Sequence, residues 1–159
     1  MQTYNAKKEP HFIEAYKKHF DGLTPKRVLE IGVQHGGSLK IWRDMFPDAE
    51  IVGVDIDPQC KQYEETNIKV LIGDQHDVKF LESLGDFDII IDDGGHTMTQ
   101  QQTSLKWLMP QLREGGIYVI EDLHVYADQS PRCTKKRGLE NKYRVTSMSI
   151  YPGIVFIFK

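Results

Sequence analysis

Four acids and a histidine stand at spacings suited to metal-assisted proton removal: Asp92-Asp93, three residues on His96, and later Glu121-Asp122. Asp92-Asp93 closes the apolar run Ile89-Ile90-Ile91, and Glu121-Asp122 closes a second run, Ile117-Tyr118-Val119-Ile120. Carboxylate oxygens are hard ligands suited to Mg²⁺, an ion that keeps positions open for water or substrate oxygens. If the two runs are neighbouring strands, about 4.8 Å apart, then Asp93, Glu121 and Asp122 can converge on one ion. Two substrate oxygens could complete the coordination, and one bound hydroxyl would become more acidic. Imidazole titrates near neutrality, so His96 is placed to act as general base. Alone, it would read as a helix-start residue bonding a backbone carbonyl. Beside paired acids it reads with Asp93 as the catalytic pair.

A second constellation lies upstream. The run Val28-Leu29-Glu30-Ile31 ends in Gly32, and Gly36-Gly37-Ser38 opens a helix. Such a turn brings backbone close to a nucleotide-like ligand. Asp55 follows Gly32 by 23 residues and closes the run Ile51-Val52-Gly53-Val54, where a carboxylate can accept from both ribose hydroxyls. Gln34 stands where the pyrophosphate fingerprint has its second glycine. The expected ligand therefore has a ribose but no phosphates, and an NAD-dependent oxidoreductase is disfavoured.

Positioning these residues requires alternating strands and helices. Apolar residues at 12, 13, 16 and 20 predict a leading helix within 1–22. Strands are expected at 27–33, 50–56, 69–72, 87–93 and 116–121. Helices are expected at 38–46 with Ser38 as cap, after Pro58, and at 77–84 and 97–112. Segments 144–150 and 154–158 flank the turn Tyr151-Pro152-Gly153 and predict a hairpin. The continuous run Ile89-Ile90-Ile91 suits a strand buried on both faces. The fold class is thus α/β: one doubly wound, Rossmann-like domain over 1–159, mostly parallel, with a C-terminal antiparallel hairpin. In such a sheet the ligand lies outside the strand C-termini. Glu30, Asp55, Asp74, Asp92, Asp93, Glu121 and Asp122 all fall there, and their mutual repulsion calls for a cation or ligand.

Composition narrows the partners. At 159 residues the chain is one domain, and 40% hydrophobic content is ordinary for a globular protein. A net charge of −3 gives no general attraction to nucleic acid or anionic lipid. The cluster Arg132, Lys135, Lys136 and Arg137 is expected to be solvated. Cys60 and Cys133 have no zinc or disulfide spacing. No run approaches the roughly 20 apolar residues of a membrane span. The polar start of the chain lacks a signal-peptide core, so the cytoplasm is expected.

With these motifs assembled, the chain resembles the class I S-adenosylmethionine-dependent methyltransferases. It is most similar to the magnesium-dependent O-methyltransferases of macrolide and other natural-product sugars, with cephalosporin-hydroxylase-like relatives. The resemblance runs over nearly the whole chain. It rests on Leu29-Glu30-Ile31-Gly32, Gly36-Gly37-Ser38 with Trp42, Gly53-Val54-Asp55, Asp92-Asp93-Gly94-Gly95-His96 and Gly115-Gly116-Ile117-Tyr118-Val119-Ile120-Glu121-Asp122. It implies that Glu30 and Gly32 lie under the methionine portion of the cofactor and that Gly36, Gly37 and Ser38 cradle its carboxylate. Asp55 would take the ribose, Asp74 and Gln75 the adenine edge, and Asp92 the methionine ammonium. The implied reaction is Mg²⁺-assisted methylation of a small-molecule hydroxyl, most naturally on a sugar of a natural product. His35 and His124 share the rim, while Trp42, Trp107 and Tyr118 are expected in the core.

The chain departs from the family after Asp122, where 123–142 leaves only a short lid. The acceptor is therefore open between a glycosylated metabolite and a free small molecule, and a second subunit could complete the pocket as a homo-oligomer. Two alternatives stand beside the main reading: a metal-independent methyltransferase, and a non-catalytic subunit that only binds the cofactor.

Overall fold

The computed structural model describes residues 4, 6, 8–123 and 145–159. The basic cluster, His124 and nearly all of the expected lid lie outside the described residues.

Helix α1 (Pro10–Phe20) begins on a proline, whose fixed φ suits a first helical turn, and buries Phe12, Ala15, Tyr16 and Phe20. Ile13 stays only half-buried, so the inward stripe runs through Ala15 instead. Strands β1 (Arg27–Ile31), β2 (Glu50–Asp55), β3 (Ile68–Ile72), β4 (Phe87–Asp92) and β5 (Leu112–Ile120) are mutually parallel. Strands β6 (Ser147–Tyr151) and β7 (Ile154–Phe158) add the expected antiparallel hairpin against β5. The sheet order is β3-β2-β1-β4-β5-β7-β6, so the chain reverses direction across the sheet between β1 and β4.

Several boundaries differ from the sequence expectation for identifiable reasons. Helix α2 (Gly37–Met45) is capped by Gly36 in a left-handed conformation, φ 69°, and not by Ser38, whose hydroxyl turns inward to Glu30. The segment after Pro58 is a short 3-10 helix, Pro58–Tyr63. Helix α3 is Val78–Ser83, capped by Asp77. Helix α4 (Met98–Leu108) stops well short of 112 because Pro110 cannot continue it. Its start is well defined: Thr97 and Gln100 form a reciprocal capping box. Strand β5 starts at Leu112, and a register irregularity against β4 between Phe87 and Ile89 absorbs Arg113 to Gly116.

Side chains alternate across the sheet, which divides the core in two. One layer packs Val28, Ile89, Ile91, Val119 and Phe156 against α1 and α2, around Tyr16, Trp42 and Phe20. The other packs Leu29, Ile90, Tyr118 and Ile120 against α3 and α4. Trp42 and Tyr118 are fully buried and Trp107 packs against the second layer, as expected of core residues.

This alternation has a consequence at the strand ends. Glu30, Asp93 and Glu121 fall in phase with Val28, Ile91 and Val119, on the α1 face, while Asp92 falls in phase with Ile90 on the α4 face. Close approach of β1 and β4 depends on Gly32, which has φ 93°; a Cβ there would be driven into the Asp93 carbonyl. Gly32→Ala is therefore expected to destabilise the fold by about 2–4 kcal/mol, through a backbone clash and a strained φ together. Urea unfolding measures this, and an unchanged midpoint would mean that the strand ends stand farther apart than described.

Candidate active site

A cleft of about 680 Å³ opens at the C-terminal ends of the parallel strands. Its floor is the turn after β1. Gly32, Gly37 and Ser38 line it, whereas Gly36 lies behind, packed on Tyr63. Asp55 is the best-anchored acid of the cleft. Its Oδ2 accepts from the N–H groups of Val33 (2.8 Å) and Gln34 (3.1 Å), and its Oδ1 from Asp57 (3.0 Å). Burial alone would raise its pKa, but these donors outweigh burial and hold the carboxyl below its ordinary value. The ionised carboxylate keeps lone pairs for a ligand's hydroxyls.

Both adenine-edge candidates line the cleft, with different bonding. Asp74 lines the cleft while its Oδ1 accepts from His76 N–H at 2.8 Å. Gln75 is buried and works as a brace: its Nε2 donates to Ser104 Oγ (3.1 Å) and its Oε1 accepts from Gly95 N–H (2.7 Å). Ile56 also lines the cleft and is 67% exposed. It carried no signal beyond following Asp55, and such an exposed apolar side chain is a flat surface available to a base.

Two acids expected at the cofactor do not line the cleft. Asp92 points to the α4 side, where its Oδ2 accepts from Tyr118 OH at 3.4 Å and its Oδ1 has no hydrogen-bond partner. The reason is strand parity, which sets it opposite to Asp93. Glu30 is fully buried, with Oε2 bonded by Ser38 Oγ (2.6 Å) and Oε1 by the Lys8 ammonium (3.1 Å).

The acids and His96 form two adjacent groups that share Asp93. In the outer group Asp93, His96 and Asp122 bring ligand atoms within 4.8 Å of one another, and all three line the cleft. His96 Nε2 lies 3.6 Å from Asp122 Oδ2, while its Nδ1 is buried without a partner. Gln34, His96 and Asp122 adopt positive φ values of 49°, 35° and 55°, and all three line the cleft. Non-glycine residues seldom adopt this conformation, and such strain gathers where a side chain must be aimed at a ligand. The inner group is Glu30, Asp93 and Glu121, again within 4.8 Å. Lys8 Nζ reaches Asp93 Oδ2 and Glu121 Oε1, both at 2.6 Å, and Tyr16 OH also donates to Glu121 Oε1.

The expectation of one set, Asp93 with Glu121 and Asp122, is thus divided. Glu121 faces inward to α1, whereas Asp122, beyond the strand and with positive φ, lines the cleft. Lys8 and Tyr16 both use Oε1, which leaves Glu121 Oε2 outside these bonds. Burial would lower the Lys8 pKa, but its three carboxylate neighbours outweigh this and hold it well above the ordinary value. The ammonium offsets one of three negative charges. Burial accordingly pushes Glu121 up to about 7 and raises Glu30. Hard oxygens with surplus negative charge beside an open cleft fit a divalent cation.

The profile of a family described as Methyltransferase domain matches residues 29–123. The chain belongs to this methyltransferase family. Its seven-stranded sheet, with five parallel strands and a closing hairpin, is the class I methyltransferase fold.

The methyltransferase domain is 46% identical over 125 residues to the 8-demethyl-8-(2-methoxy-alpha-L-rhamnosyl)-tetracenomycin-C 3'-O-methyltransferase of Streptomyces olivaceus, covering 70% of this chain and 32% of that protein. It is 42% identical to the mycinamicin VI 2''-O-methyltransferase of Micromonospora griseorubida, covering 70% of this chain and 31% of the relative. Among solved structures it superposes on the MycE methyltransferase of mycinamycin biosynthesis, in complex with Mg, SAH and mycinamycin VI. That match has a TM-score of 0.79 at 30% identity, covering 93% of this chain and 48% of MycE. The chain spans about a third of the length of these curated relatives.

Lys8, Tyr16 and Ile56 are the residues that pattern reading passed over. Tyr16 lay on the inward stripe of α1, and counting strand parity would have joined Glu30 to Asp93 and Glu121. Lys8 lies in a polar stretch with no periodicity and carried no signal.

Asp92 gives the methyltransferase domain a pH signature. Burial pushes its carboxyl up to about 6 from an ordinary 3.8. A raised value favours the folded state fully below about pH 4, and that contribution is lost as pH climbs through 6. The shift is worth about 3 kcal/mol. In chelator, Asp92→Asn should flatten the fall in urea stability between pH 4 and pH 7. An unaltered difference between those pH values in the variant would remove Asp92 as its cause.

Proposed function

We propose that this chain carries the catalytic domain of an S-adenosylmethionine-dependent, Mg²⁺-assisted O-methyltransferase acting on a sugar hydroxyl of a natural product. The observation that carries the reading is the meeting of Asp93, His96 and Asp122 at the mouth of a cleft whose floor holds Gly32 and Asp55. The relatives' named activities point to the same chemistry.

Asp55 holds the ribose hydroxyls, Ile56 offers its apolar face to the adenine, and Asp74 takes the adenine edge. Gly32, Gly37 and Ser38 line the methionine portion and its carboxylate. A cofactor so held would present its sulfonium methyl on the side of the cleft that Asp93 and His96 line. Asp93, Asp122 and Glu121 Oε2, the oxygen that Lys8 and Tyr16 do not use, would hold Mg²⁺. When bound, the ion orients the acceptor and lowers the pKa of its hydroxyl. His96 Nε2 takes the hydroxyl proton, and Asp122 steadies the imidazolium that results. The alcohol oxygen bonds to the methyl carbon, the carbon–sulfur bond breaks, and its electron pair stays on sulfur as S-adenosylhomocysteine.

One observation favours a second reading, in which no metal takes part: the Lys8 ammonium already places a positive charge between Asp93 and Glu121. Release of S-adenosylhomocysteine across a panel of glycosides separates the two. The first reading expects activity abolished by EDTA and restored by Mg²⁺, and full turnover in chelator would exclude it.

No helix among the described residues is long and apolar enough to cross a membrane. We place the reaction in the cytoplasm with a small-molecule acceptor, and nucleic acid is not an expected partner.

The division of roles makes a paired prediction. Asp55→Ala should weaken S-adenosylmethionine binding about 10- to 100-fold, the scale of a lost charge-assisted hydrogen-bond pair. His96→Ala should lower kcat roughly 10²- to 10⁴-fold while calorimetry finds cofactor affinity retained. Equal loss of cofactor binding in both variants would refute the assignment.

A further inference from the structure

Lys8 is the feature that the proposed chemistry does not use. Its side chain is 3% exposed, and its ammonium lies 3.1 Å from Glu30, 2.6 Å from Asp93 and 2.6 Å from Glu121. An ammonium has three N–H donors, so three carboxylate partners satisfy it completely. The Trp42 ring, with its centroid 5.7 Å from Nζ, packs against the same cation. The three acids it joins lie within 4.8 Å of one another, the spacing at which their oxygens could share a metal ion.

Two cation positions therefore stand side by side, with Asp93 common to both. The outer one, where Asp93 and Asp122 supply oxygens beside His96, opens to the cleft. The inner one is closed and already holds a positive charge that is part of the chain. A carboxylate shared between adjacent positions is the arrangement of two-metal centres, whose ions stand about 3.5–4 Å apart. Here one of the two places is filled by lysine.

We infer that Lys8 is a positioning residue that serves as a tethered cation: it fills the inner Glu30/Asp93/Glu121 position and restricts the domain to a single exchangeable divalent ion. The inference rests on the outer ion proposed above. The ammonium binds Asp93 through Oδ2 and Glu121 through Oε1, leaving the second oxygen of each outside its bonds. It cannot dissociate, as an ion would. The inner acids thus stay neutralised in part and fixed in place while the outer ion and the acceptor come and go. Compared with a second Mg²⁺, one ammonium also leaves more negative charge for the outer ion to meet.

The test uses Mn²⁺ as the probe and counts bound ions on the whole chain from the electron paramagnetic resonance signal of the free ion. Wild type should bind one Mn²⁺, and Lys8→Ala should bind two. Propylammonium, which restores the deleted ammonium without the tether, should return the variant to one; a merely structural role would produce no such rescue. A folded Lys8→Ala protein, verified by circular dichroism, that binds one ion with wild-type affinity would overturn the inference. So would two ions on the wild type, a result that needs no variant to fold. No Mn²⁺ on either protein is a different failure: it would remove the metal reading itself and the inference with it.

Discussion

Three carboxylates at the ends of β1, β4 and β5 share one ammonium almost out of contact with water, and the rest of the site is arranged around that contact. Removing an ion from water costs several kcal/mol even after relaxation, so such a cluster persists only if every member is held. Lys8 binds all three acids, Ser38 binds the far side of Glu30, and Tyr16 binds Glu121. The helix that supplies Tyr16 and the segment that supplies Lys8 are thereby tied to the centre of the sheet. Packing of α1 and neutralisation of the acids are one event, since Tyr16 also contacts Phe20, Trp42 and Phe156 in the core.

The cleft gains definition from the same sheet ends. Backbone bonds continue past the strands: Gly32 N–H to Val54 O, Asp93 N–H to Ile31 O, Glu121 N–H to Asp92 O. The residues just beyond them then turn sharply, with positive φ at Gln34, His96 and Asp122. Side chains that would otherwise follow strand alternation are swung toward the open side. A rigid sheet thus carries a rim whose local conformations are strained, and the candidate catalytic groups occupy that strain.

Much of this was readable along the chain. The alternation of apolar runs with helical spacings predicts the doubly wound sheet, because a parallel strand buried on both faces must be apolar throughout, as Ile89-Ile90-Ile91 is. Acids that close such runs must fall at one edge, which locates the cleft before any coordinates exist. Element ends were less legible. The stop of α4 at Leu108 follows from Pro110, yet the early start of β5 at Leu112 depends on a register irregularity that only its partner strand defines. Ser38 shows the same limit. Its type suits a helix cap, but a buried glutamate nearby made a better partner for its hydroxyl.

The sequence by itself determined the fold class, the family and the inventory of carboxylates and imidazole, because these follow from local periodicity and from motifs within a few residues of each other. Tertiary structure alone decided which acids face the cleft. Asp92 and Asp93 are neighbours in sequence with opposite surroundings, since a strand sends consecutive side chains to opposite sides, while Glu121 and Asp122 are separated by the positive φ of Asp122. It also decided that Lys8, 85 residues from Asp93, would be their shared cation. A long-range ion pair leaves no local pattern: it exists only once helix, strand ends and chain entry have been brought together.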